Sequence, residues 1–198
     1  MDEHPLPPSG QDEIDKIPLV LVARRQKWHR IHTRGEDPLH YGRSGYRFDS
    51  LGGGFGVLYV AEKVQGAFIE TFGRTLGVRD ITLRKLALRT IAVFESDDLA
   101  LIDLTGKGAS AAGADGRLCT ATNYNGLTRP WAEAFHRHKE KADGILYRAR
   151  HDLNEVVAAV FDRARTKIKV VEELDFSKRK GRALIMRVVH YYGFGIIP

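Results

Sequence analysis

The chain has 198 residues, 43% hydrophobic and 28% charged, the composition of one ordinary soluble domain with enough apolar content for a core. No apolar run approaches the roughly 20 residues that span a bilayer, and a lone cysteine, Cys119, excludes an internal disulfide. The net charge is +6 and unevenly placed: residues 1–19 hold five acids against Lys16, or −4, so the remaining body stands at +10. A body that basic favours phosphate-bearing partners. It carries no helix-turn-helix, zinc-finger or RNA-binding sheet motif, and its basic residues are scattered, so a phosphate-lined cleft competes well with nucleic acid. No Cys/His cluster has zinc spacing, and no metal is expected. The acidic, proline-rich start is the opposite of a signal peptide, which together with the single cysteine points to the cytoplasm.

In chain order, residues 1–17 read as a flexible acidic tail, too poor in apolar side chains to offset ordering entropy, with a single domain over 18–198. Residues 17–25 (IPLVLVARR) suit a short strand or helix. Trp28, Arg30 and His32 alternate against His29 and Ile31, which suits a strand with polar groups on one face. A loop broken by Gly35, Pro38, Gly42 and Gly45 follows, and it carries His40, Tyr41, Arg43, Tyr46 and Arg47, side chains suited to anions and aromatic rings.

The stretch 52–72, GGGFGVLYVAEKVQGAFIETF, reads as a glycine-rich entry, a strand (Val57 to Ala61, with Tyr59 in its middle) and a helix. Val64, Ala67, Phe68, Thr71 and Phe72 form its apolar face. Glu70 falls off that face beside Lys63 and Gly66, and on composition alone it is a solvated acid.

Residues 83–104 read as two strands around the turn Ser96-Asp97-Asp98. Leu127 to Ala142 reads as a helix with Thr128 as N-cap and Pro130 in its first turn. Ile145 to Arg150, Glu155 to Phe161 and Lys167 to Asp175 read as strands. The basic turn SKRKGR then precedes a last strand within 183–197. Many short strands with two or three helices make a single α+β domain.

Taken together, WHRIH, GYRFD, GVLYVAEKVQGAFIETF, LIDLTG and DGILYRARHD resemble the RES-domain proteins in content, order and spacing, from about Trp28 to Phe161. That resemblance implies an ADP-ribosyltransferase-like fold, with two small mixed or antiparallel sheets around an NAD-binding cleft. It implies the toxin of a bacterial toxin–antitoxin pair that consumes NAD+ as its substrate. Such proteins break the nicotinamide–ribose bond with water or phosphate as acceptor, and some transfer ADP-ribose to a protein. The implied partner is an antitoxin of the Xre type, with no direct nucleic-acid contact and no membrane; a homo-oligomer stays open.

By the same resemblance Arg30 and Glu70 are the catalytic pair. Arg30 and Arg47 suit the pyrophosphate, since a guanidinium offers a planar fork. Tyr59 suits ring stacking; Tyr41, Tyr46 and His32 are weaker nucleotide contacts. The slot in which the family carries its serine reads Tyr147-Arg148-Ala149-Arg150. If that serine's hydroxyl positions substrate, losing it costs about 1–3 kcal/mol. A non-catalytic nucleotide- or nucleic-acid-binding module is therefore the alternative.

Overall fold

The structure is a computed structural model and describes residues 6–8, 10–75 and 77–198. In chain order its elements are α1 (Gln11–Ile14), β1 (Leu19–Val22), β2 (Lys27–Thr33), β3 (Val57–Ala61), α2 (Val64–Phe72), β4 (Asp80–Thr82), α3 (Leu83–Ala87), β5 (Arg89–Ser96) and β6 (Leu99–Asp103). The second half adds α4 (Gly108–Ala111), α5 (Arg117–Thr120), a π-helical turn (Tyr124–Thr128), α6 (Arg129–His136), β7 (Gly144–Ala149) and β8 (Asp152–Phe161). A 3-10 turn (Asp162–Lys167), β9 (Ile168–Asp175), α7 (Arg179–Tyr191) and β10 (Gly195–Ile197) complete it.

The two small sheets expected from the resemblance are joined here into one eight-stranded sheet, ordered β1-β6-β7-β8-β3-β2-β5-β9; β4 and β10 form a separate parallel pair. The join is narrow. β3 pairs with β8 over five residues and β2 with β5 over seven, yet β2 and β3 share one register pair, His29↔Ala61. A five-strand half and a three-strand half thus meet at a single rung, and beyond it the strands diverge and leave an opening.

Alternation along the strands sorts side chains onto two faces. Val57, Ala61, Ile31 and Ile91 join the core beneath α2, α6 and α7, while Trp28, Leu58, Val60 and Phe94 build a second cluster on the other face. Within the stretch expected as a tail, Gln11–Ile14 forms a helical turn, and Ile14 and Ile17 are each 2% exposed. The buried His138 ring gives its Nε2–H to the Ile17 carbonyl at 3.2 Å, which anchors this segment. Residues 1–5 and 9 of that stretch lie outside the described residues.

Three local expectations change. Residues 83–87 form a helix, because the Thr82 hydroxyl accepts from Lys85 N–H at 3.1 Å and caps it. The helix expected over 127–142 ends at His136: His138 turns inward and Lys141 takes a positive φ of 51°. Its Thr128 caps nothing with its side chain and donates to the Arg47 carbonyl at 2.5 Å. The largest change lies in 179–191, which is helix α7. Gly181, Ile185, Val188 and Val189 are its buried residues, spaced by helical turns, and the basic run is its solvated first turn. Gly193, at φ 65°, closes it by donating to the His190 carbonyl at 3.0 Å.

Candidate active site

Helix α2 follows β3 after two residues and is seated by Phe68, which is fully buried against Phe72, Tyr192 and Phe194. Burying that one side chain contributes about 1.5–3 kcal/mol. Gly66 lets the helix approach the sheet: a Cβ there would stand 3.0 Å from the Ala61 Cβ. The flank carrying Gly66 and Glu70 therefore faces inward, not toward bulk solvent. Glu70 lines a cavity of about 340 Å³, and its Oε1 accepts the Arg150 backbone N–H at 2.8 Å. Among the described residues that carboxylate has no other hydrogen bond, so its second oxygen is free for a ligand.

The loop between β2 and β3 forms the facing wall, held by its own polar groups. Asp49 is completely buried; Oδ2 accepts the Tyr46 N–H and Oδ1 the Tyr59 hydroxyl, both at 2.9 Å. The Tyr59 oxygen accepts in turn from the Phe48 N–H at 2.9 Å. Burial raises the Tyr59 phenol well above its ordinary pKa, and Asp49 adds to the effect. Its hydroxyl is thus spent on the loop, and only the ring is left for the cavity, edge-on to Tyr46 at 5.7 Å. Glu133 accepts from both the Ser50 hydroxyl (2.6 Å) and the Leu51 N–H (2.9 Å), and Asp162 from the Gly56 N–H (2.7 Å), which pins the glycine-rich entry.

Arg47, 6% exposed, donates to the carbonyls of Ala121 (3.0 Å) and Leu118 (3.4 Å) and lies over the Tyr124 ring. No carboxylate pairs with it among the described residues. Arg30, one residue past the shared rung in β2, also lines this cavity and donates to the carbonyls of His40 (2.8 Å) and Pro38 (3.4 Å). Burial lowers its guanidinium pKa from the ordinary value, opposed by Tyr46, Glu36, Asp37 and Tyr41; it stays charged. Both guanidinium groups are thus held by neutral carbonyls and keep their positive charge available.

The cavity gathers Arg30, Arg47, Tyr46, Tyr59 and Glu70 of the expected site. Two expected contacts are not brought there. Tyr41 packs with the second cluster on the other face, its hydroxyl unpartnered and its pKa pushed up to about 12 by burial. The loop turns back at Gly42, which bridges Val57, and this takes Tyr41 away. His32 is 4% exposed and lies beside the outer strand β9, its Nε2 3.3 Å from Glu173 Oε1. Ala149 is fully buried in the core and does not line the cavity.

The cavity also holds residues that sequence reasoning missed: Arg74, Arg150, His151, Tyr124 and Tyr147. Arg74 is one helical turn beyond Glu70, gives its Nε–H to the Glu70 carbonyl at 2.7 Å, and lies over the Tyr46 ring at 5.2 Å. Arg150 and His151 form the turn between β7 and β8, inside a motif already singled out; their chain signal is adjacency to Tyr147, the strand tyrosine. Burial raises Tyr147 well above the ordinary phenol pKa, with Glu70 adding to this and Arg47 opposing. Nothing in the chain marked Tyr124. Four arginines and one carboxylate thus line the same cavity, between walls of tyrosine. That charge balance suits a ligand with two or more negative charges and flat rings.

The sequence model of the RES domain matches residues 27–179. No curated protein matches the chain significantly in sequence. Among solved structures, a chain of the M. tuberculosis MbcT-MbcA toxin–antitoxin complex is similar, with a TM-score of 0.63 and 18% identity over 91% of this chain and 96% of that one. At that identity the likeness is one of fold. The sequence match covers every element that lines the cavity, from β2 to β8, and the chain belongs to the RES domain family.

Proposed function

We propose that this chain is the toxin of a toxin–antitoxin pair and that it consumes NAD+ in the cytoplasm by cleaving the nicotinamide–ribose bond. The observation that carries this reading is the convergence of Glu70 with Arg30, Arg47, Arg74 and Arg150 on one cavity. Family membership supports it, as does the fold likeness to a chain from a toxin–antitoxin complex. The partner is an antitoxin of the Xre type, and the basic body serves the nucleotide, not DNA.

The chemistry follows from the charges. Nicotinamide leaves as a neutral molecule because its ring nitrogen is cationic in NAD+, so the ribose becomes oxocarbenium-like as the bond stretches. A carboxylate beside that ribose stabilises the transition state more than the ground state. Glu70 supplies it: the Arg150 N–H fixes one oxygen, and the other meets a ribose hydroxyl. The arginines hold the pyrophosphate, and the rings of Tyr46 and Tyr59 flank the planar groups.

The test is Glu70→Gln, which keeps an oxygen for the Arg150 N–H and removes only the charge. Nicotinamide release from NAD+ by the purified variant is expected to fall about 10²–10³-fold with an unchanged melting temperature. Full turnover in the variant rejects the assignment.

A further inference from the structure

His151 lines the cavity and makes no hydrogen bond among the described residues. It follows Arg150 directly, and the Arg150 N–H holds Glu70 Oε1 at 2.8 Å, so one turn fixes the carboxylate and carries an imidazole that lines the same cavity. Glu70 from α2, Arg74 just beyond that helix, Arg150 from the same turn and Arg47 from the facing loop all act on the ring. The other histidine of the cavity, His29, gives its Nδ1–H to the Glu62 carbonyl at 3.1 Å, and Glu70 is not among the charges acting on it.

We propose that His151 is the catalytic base that activates water for attack on the ribose. This inference rests on the NAD+-consuming reading above. In the step, the water oxygen bonds to ribose C1′ while the C1′–N bond breaks and its electron pair leaves with nicotinamide. The water proton passes to a ring nitrogen of His151, which returns it to solvent, and the products are ADP-ribose and neutral nicotinamide. Burial, helped by Arg150, Arg47 and Arg74 and opposed by Glu70, lowers the ring's pKa from 6.5, so the imidazole is uncharged at neutral pH and can accept a proton. A guanidinium cannot take this part, and the Glu70 carboxylate is engaged with the ribose.

The experiment compares wild-type protein with His151→Ala and His151→Asn in phosphate-free buffer, following nicotinamide release with and without sodium azide. A turnover loss of about 10²-fold with KM little changed is expected in both variants. Azide carries its own charge and needs no base, so it is expected to restore release and to yield ADP-ribosyl azide by mass spectrometry. A purely structural role for His151 gives no such rescue. Unchanged turnover in the variants, a loss that azide does not restore, or a wild-type protein that turns over only with added phosphate each overturns the assignment. The last of these leaves the NAD+-consuming reading standing. Wild-type protein that releases no nicotinamide with water, phosphate or azide takes both readings down.

Discussion

The five-strand half of the sheet and the three-strand half bring different chemistry to the same cavity. From β3 and its following helix, and from the turn between β7 and β8, the larger half contributes Glu70, Arg150 and His151. From β2 the smaller half contributes His29 and Arg30, and the loop that leaves it carries Tyr46 and Arg47. The groups proposed to act at the ribose thus sit on one half, while the anion-holding charge is shared across the seam. A continuous sheet has no room for a ligand between adjacent strands; this one has, because its halves share only His29↔Ala61.

That division can be broken by substitutions on either side. The largest effect is the Glu70→Gln loss in kcat described above. On the other half, Arg30→Lys removes the planar fork and its bonds to the carbonyls of His40 and Pro38. It is expected to raise KM for NAD+ about tenfold, near 1.4 kcal/mol, with kcat largely kept. Steady-state kinetics separate the two, and an Arg30→Lys variant that loses kcat at constant KM erases the distinction.

Gly66→Ala probes how α2 sits on the larger half. The added carbon would stand 3.0 Å from the Ala61 Cβ and 3.4 Å from the Glu155 Cβ, so the helix must lift by a few tenths of an ångström. A stability loss of about 1 kcal/mol in urea unfolding is expected, with kcat reduced because Glu70 moves with the helix. A variant as stable and as active as wild type shows that this close approach does not set the position of Glu70.

The smallest effect concerns Glu155, 4% exposed beneath the same helix, with Oε2 unpartnered and Lys63 3.9 Å from Oε1. Burial raises its carboxyl pKa above 4.5, with Lys63 opposing. A raised carboxyl binds its proton more tightly in the folded state, so its contribution to stability grows as pH falls through the folded value and is lost as pH climbs back. Glu155→Gln should remove that slope and change stability at neutral pH by about 1 kcal/mol at most. Urea midpoints across the weakly acidic range read the difference; identical profiles count against it.

Much of this was legible in the chain. Val57 to Ala61 and the helix after it follow from the apolar pattern, and Glu70 and Arg30 were marked by their motifs. The inward aim of Glu70 was not legible, because a helical wheel ranks faces by hydrophobicity and a polar cavity wall looks the same as solvent. For Tyr59, the buried Asp49 decides that its hydroxyl holds the loop, and that partner comes from a tertiary fold-back with no periodic signal. Helix α7 was missed because Val188, Val189, Tyr191 and Tyr192 favour strands locally, while the buried spacing of Gly181, Ile185 and Val188 settles the period. Arg74 and Arg150 looked like ordinary surface charges until two chain segments were brought to one place.

The single rung between the halves has a further bearing on the empty protein. A molecule that touches both sides of the seam acts as a crosslink, doing the work of ladder bonds that β2 and β3 do not make. Mass action converts such occupancy into stability against unfolding, about 2.7 kcal/mol when the ligand stands at a hundred times its dissociation constant. Under the reaction proposed above, a cell rich in NAD+ braces the fold, and each turnover removes the brace.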